Sequence, residues 1–174
     1  MIASDDVITR RKIEFEFIKD GLAKKELSIY LTHGDVKQIE KEMISFGIDV
    51  NSYNRKGLLK VEYVGNPAEE SLDFIDAVQT KLRTILSSSP VTPFRIVGRV
   101  IPDVRTEIAM AIQSRWEEIL HNTMFDKLNG SILCTYDLSQ IRENNDWSKW
   151  LNILKENHHA YIICQNGKCI FTEN

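Results

Sequence analysis

Arg99 and Arg105 are the cations of this sequence best placed to hold an anionic group, because a guanidinium presents paired N–H donors to a carboxylate or phosphate. Tyr63 and Tyr136 add flat apolar walls with a polar tip, and Thr32, His33 and Asp137 add hydrogen-bonding groups. With Gly98, which ends the segment delivering Arg99, these residues follow strand-like runs. In open α/β sheets ligands settle beyond the carboxyl ends of the parallel strands. The competing reading is structural: Arg99 and Asp137 pair to brace two loops, and both tyrosines are core residues with wet hydroxyls.

Other chemistries fit less well. His158-His159, followed by Cys164 and Cys169, offers imidazole and thiolate, the preferred ligands of zinc. Structural zinc sites use ligand pairs two to four residues apart on a turn, whereas these cysteines fall inside strand-like runs, so no metal is assigned. Asn166-Gly167 suits a two-residue hairpin turn, which sets Cys164 opposite Cys169 as a close cross-strand pair. That register allows a reversible redox clip; the alternative is two buried, reduced thiols. Cys134, in SILCTYD, has no histidine near it in sequence to act as a base. A phosphate-cradling loop needs clustered glycines followed by Lys-Ser/Thr, and the eight glycines here are scattered. Nor does an acidic strand end await Mg²⁺, since FRIVG runs into Arg99. ATPase activity is not expected, and no cofactor is assigned.

The elements that must position these groups are legible as a repeating pattern. Ile13, Phe17, Ile18 and Leu22 recur at helical spacing between about Thr9 and Lys25. LSIYLT (27–32) follows as a strand. Asp35 and Gln38 form a capping pattern before the helix of Val36, Ile39, Met43 and Phe46, which stops at Gly47. LLKVEYV (58–64) is the next strand, and Leu72, Ile75, Val78, Gln79, Leu82 and Leu86 mark a helix after it. FRIVG (94–98) and SILCTY (131–136) are further strands, separated by a helix carrying Ile108, Ile112, Trp116, Ile119 and Leu120 on one face. Trp147, Trp150, Leu151 and Leu154 mark a last helix before the hairpin of 160–171. Such alternation predicts an α/β fold of three layers: a mostly parallel central sheet, helices on both faces, and a C-terminal β-hairpin.

Bulk properties narrow the partners. A chain of 174 residues, 43% apolar and 27% charged, fits one domain over 1–174. The net charge of −3 gives no general attraction for polyphosphate, so direct nucleic-acid binding is not expected. No run approaches the ~20 apolar residues that cross a bilayer, and MIASDDVITRRK lacks a secretion signal's apolar stretch. A cytoplasmic location without membrane contact is the expectation.

Read in order, IEFEFIKDGLAKKELSIYLTHGDV, EKEMISFGIDV, GLLKVEYV, FRIVGRVIPDVRTE, SILCTYD and NHHAYIIC resemble a MEDS domain, with wording similar to archaeal members. The resemblance spans roughly Arg11 to Phe171, and FIKDGLAKKELSIYLT and CTYD are its most specific parts. That family is named for methanogen and methylotroph proteins and for the sensory part of a dichloromethane-responsive regulator. The resemblance implies a RecA/KaiC-like fold that has lost its ATPase machinery and binds small organic ligands, often beside kinase or DNA-binding modules. It also implies an opening strand of the type H-x-x-x-x-Y ahead of the first helix, which this chain starts too late to contain. Another element or a partner chain would then fill that place in the sheet.

The expectation is a non-enzymatic sensory module for a small organic molecule, with Thr32, His33, Tyr63, Gly98, Arg99, Arg105, Tyr136 and Asp137 as candidate ligand residues and Cys164 with Cys169 as a candidate redox pair set against the reading of two buried reduced thiols. The alternative is a homo-oligomeric or protein-interaction scaffold, since a missing strand exposes an edge that recruits partners. A weaker third reading is an enzyme of unknown reaction.

Overall fold

The computed structural model describes residues 1–65, 80, 84, 93–123 and 129–174. Through them the chain runs β1 (Ile2–Ser4), α1 (Val7–Ala23), β2 (Leu27–Thr32), α2 (Val36–Ser45), α3 (Val50–Arg55), β3 (Leu59–Tyr63), β4 (Phe94–Gly98), α4 (Glu107–Thr123), β5 (Gly130–Asp137), α5 (Leu138–Arg142), α6 (Trp147–Glu156), β6 (Ala160–Gln165) and β7 (Lys168–Glu173). The seven strands form one sheet in the order β3-β2-β4-β5-β1-β6-β7. All neighbours are parallel except β6 and β7, the hairpin. The three-layer α/β expectation holds. Of the helix expected over Leu72 to Leu86, only Thr80 and Thr84 are among the described residues; both are helical, and Thr84 Oγ1 donates to Thr80 O at 2.8 Å.

Local chemistry sets the helix starts. Asp6, Asp35, Asp49 and Asp137 each cap a helix by accepting from backbone N–H groups of its first turn, donors that would otherwise go unsatisfied. Asp35 accepts from Lys37 N at 2.8 Å, but Gln38 reaches forward to Glu42 at 3.1 Å instead of closing a capping box. The short helices α3 and α5 escape the hydrophobic pattern because neither is long enough to show a period.

Two apolar clusters fill the space above and below the sheet. Phe15, Ile18 and Leu22 of α1 and Ile39 and Met43 of α2 pack on one face with Ile2, Tyr30 and Val97. Met110 and Trp116 of α4, Leu138 and Ile141 of α5, and Leu151 and Leu154 of α6 pack on the other with Ile29, Ile96 and Tyr136. All six residues of β2 are buried, as an interior parallel strand covered on both faces requires.

No strand is read from the sequence ahead of α1, yet Ile2–Ser4 fills that place. It pairs with Thr135–Asp137 of β5 on one side and Ile162–Cys164 of β6 on the other. Three residues suffice because both neighbours satisfy them, and Ile2 and Ala3 are fully buried. The edge that a missing strand would expose is therefore closed at this level, and among the described residues the outer strands of the sheet are β3 and β7.

Candidate functional site

Most of the residues selected at the carboxyl ends of the strands are engaged within the chain. Thr32 Oγ1 accepts from Gly34 N at 3.0 Å and shapes the turn. The His33 ring contacts Val64 O through Nδ1 at 2.8 Å and Arg99 O through Nε2 at 2.9 Å, tying the end of β3 to the loop after β4. Burial pushes its pKa below the ordinary histidine value, while the two carbonyls pull the other way.

Arg99 donates through Nη2 to Pro102 O, and its buried Nη1 has no partner. Burial lowers its pKa to about 10. Asp137 does not pair with Arg99 as the structural reading supposes. Its partner is Arg10, at 3.6 Å, while it also caps α5 through Ser139 N. Arg105 is half exposed between Asp103 at 3.2 Å and Glu143 at 3.3 Å. Tyr63 is 54% exposed, so it forms no enclosed wall.

Tyr136 departs furthest from its expected place. It is fully buried, and its hydroxyl turns toward α4, where it donates to Glu117 and accepts from Gln113 Nε2 at 2.9 Å. The buried stripe of α4 is Met110, Gln113, Trp116 and Glu117, whereas Ile108 is 74% exposed. Two polar residues thus occupy core positions at helical spacing, where the hydrophobic pattern predicts apolar ones.

These residues lead to a cavity that the sequence did not indicate. Among the described residues, β1 pairs only with the last three residues of β5, so Gly130–Cys134 border an opening between β5 and β6. The cavity has a volume of about 280 Å³ and lies at the amino ends of the strands. Ile132, Leu133, Tyr161, Ile162 and Phe171 give it apolar walls, and Glu117, Cys134 and His158 supply polar groups.

Those three side chains converge: one ligand-type atom of each lies within 4.8 Å of the others. His158 Nε2 stands 3.6 Å from Glu117 Oε1, and its Nδ1 is 2.6 Å from Leu154 O. Glu117 Oε1 also accepts from Gln113 Nε2 at 3.3 Å, while the buried Oε2 has no hydrogen-bond partner. Burial raises the Glu117 carboxyl to about 8 and pushes the Cys134 thiol well above its usual value. The sequence hides this cluster because its members come from α4, β5 and the turn before β6.

The hairpin has the expected register. Asn166 and Gly167 take φ of 51° and 73°, the positive values its two-residue turn requires, and Cys164 faces Cys169. The pair is joined as a disulfide with Cα atoms 4.0 Å apart, in place of two reduced thiols, and Cys134 is a buried free cysteine. Among the described residues no helix is long and apolar enough to cross a membrane.

A family model described as MEDS, the MEthanogen/methylotroph, DcmR Sensory domain, matches residues 6–145. Comparison with curated proteins gives no match. Among solved structures, a KaiC-like protein from the hyperthermophilic archaeon Pyrococcus horikoshii OT3 is similar, with a TM-score of 0.66 at 14% identity over 99% of this chain and 76% of that one. At such identity the likeness speaks for the fold.

Proposed function

This chain belongs to the MEDS family, and from that membership we propose that it is a non-enzymatic sensory module whose signal is a small organic molecule held in the cavity between β5 and β6. The observation that carries this reading is a half-open, mostly apolar cleft with a few convergent polar groups, the usual character of a small-molecule site. Its volume of about 280 Å³ lies just below the usual range for such sites, which favours a guest of few heavy atoms. The polar groups at the carboxyl ends offer less, because most of them already serve loops and caps.

The sequence lacks the clustered glycines followed by Lys-Ser/Thr that cradle a triphosphate on backbone N–H groups. Thermal-shift and calorimetric screening of short alcohols, halocarbons, small organic acids and ATP tests the reading. Stabilisation by one of the small organic classes, with no turnover of ATP, is the expected result. ATP hydrolysis by the purified chain overturns it.

A second reading, assembly with another copy, is favoured by β7. This outer strand exposes Ile170 at 67% and Phe171 at 61%, an apolar edge of the kind that pairs with a further strand. Light scattering with an I170K variant tests it, since a dimer that dissociates on the charge change supports edge pairing.

A further inference from the structure

We propose that Glu117, Cys134 and His158 form a binding site for a single divalent transition-metal ion, with zinc as the best match, on the floor of the cavity between β5 and β6. The argument starts from the ligand types. Carboxylate, thiolate and imidazole together are a borderline-soft set that suits zinc, whereas magnesium and calcium take oxygen ligands. One atom of each group already lies within 4.8 Å of the others. Bonds of about 2.0–2.3 Å from a tetrahedral ion bring such atoms to separations near 3.5 Å, so side-chain rotations of modest size close the site.

The surroundings hold these ligands as metal ligands are commonly held. His158 Nδ1 lies 2.6 Å from Leu154 O, and donation there leaves Nε2 to face Glu117. This is the backbone-carbonyl support that fixes a ligating imidazole's tautomer. Tyr136 and Gln113 donate to Glu117 Oε1 and orient the carboxyl. Glu117 is 3% exposed, and its Oε2 is buried without a hydrogen-bond partner. An orphaned buried oxygen normally carries an energetic penalty, and a cation beside it removes that penalty.

Three protein ligands with a cavity beside them leave a fourth position open to solvent or to a guest. The hairpin cysteines do not enter this site, because they are bonded to each other. The proposal rests on this cluster's geometry and stands apart from the sensory reading: a metal can bind whether or not an organic guest does.

Cobalt(II) is the probe, since a cysteine thiolate bound to it gives a near-ultraviolet charge-transfer band. The chain is stripped with chelator, kept free of reductant so that the disulfide stays closed, and titrated with Co²⁺ and then Zn²⁺. One equivalent of cobalt, a thiolate band, and displacement by zinc are expected. C134S abolishes the band, and E117Q and H158N weaken binding at least tenfold, in line with loss of a ligand. The chain has three cysteines, so in C164S/C169S the only thiol is Cys134. That variant keeps the band, and it carries the test alone where C134S does not fold. A folded chain that shows no thiolate band, or a band that survives C134S or vanishes in C164S/C169S, overturns the proposal.

Discussion

The Tyr136 hydroxyl on β5 donates to the Glu117 carboxyl on α4, and Gln113 donates to both of them. Gln113 also accepts from Ile101 N at 2.9 Å, so one buried network joins the cavity floor to the loop after β4. The two ends of the sheet are thereby connected through side chains that are 3% exposed or less. The Glu117 carboxyl and the loop carrying Arg99 and Ile101 therefore share Gln113 as a common hydrogen-bond partner.

Removing the hydroxyl tests the network directly. Y136F leaves ring packing intact but deprives Glu117 of a donor and Gln113 Nε2 of an acceptor. Buried polar groups left short of partners cost about 1–3 kcal/mol, so urea unfolding is expected to show a loss of that size with an unchanged slope. A loss below about 0.5 kcal/mol shows that the remaining partners re-form the network.

Arg11 and Glu14 supply the pH prediction. Glu14 is buried on α1, accepts from Tyr30 Oη at 2.5 Å and pairs with Arg11 at 3.0 Å. Burial raises its pKa, with Arg11 and Arg10 pulling it back. A carboxyl raised on folding contributes stability fully present below its unfolded pKa and lost as pH rises through the folded one. R11Q raises the folded value further. The variant is therefore expected to lose about 2 kcal/mol near pH 8, discounted for Arg11's partial exposure, and clearly less near pH 4. Denaturant midpoints at the two pH values check this, and an equal loss at both contradicts the sign.

The hairpin disulfide gives a third test. Closing so short a loop stabilises by about 2 kcal/mol on the chain-entropy account. C164S/C169S is expected to lose that amount, with hydrogen exchange fastest along β7. Thiol counting in denaturant should find one free thiol in the untreated chain and three after reduction, since Cys134 is not in the bond. Three thiols in the untreated chain mean that the bond is open in solution.

A fourth test fills the proposed ligand space. Ala160 lines the cavity and is partly exposed, so A160F projects a ring into it. Binding of a small organic guest should fall at least tenfold, about 1.4 kcal/mol, while the thermal midpoint stays level or rises as the void closes. Unchanged affinity places the guest elsewhere, with the carboxyl-end loops next in line.

The sheet was legible in this sequence because its signals are local. LSIYLT, FRIVG and SILCTY are short, strand-forming and bounded by turn residues, and Asn166-Gly167 fixed both the hairpin and the Cys164–Cys169 register. The short β1 was not legible, since three residues carry no period and Ile2–Ser4 is a strand only because β5 and β6 lie on either side of it. The site was less legible still. The strand-end rule led to His33, Arg99 and Asp137, whose chemistry goes into holding loops. Glu117, Cys134 and His158 meet through tertiary packing, and the one local sign was polar Gln113 and Glu117 on the buried stripe of α4.

Gly98 and His33 together set the path of the loop after β4. Its φ of +143° belongs to glycine, and a Cβ there would lie 2.7 Å from Leu31 Cβ and 2.9 Å from Leu31 O. Close approach to β2 is what turns the chain out of β4 and brings Arg99 O to the His33 ring. G98A therefore meets both backbone strain and overpacking, and should cost about 2–4 kcal/mol in urea unfolding. H33A, which removes the clamp but not the turn, should cost about 1–2 kcal/mol. Because both changes act through Arg99's backbone, the loss in the double variant should fall short of the sum. Full additivity would mean that His33 and Gly98 position the loop separately.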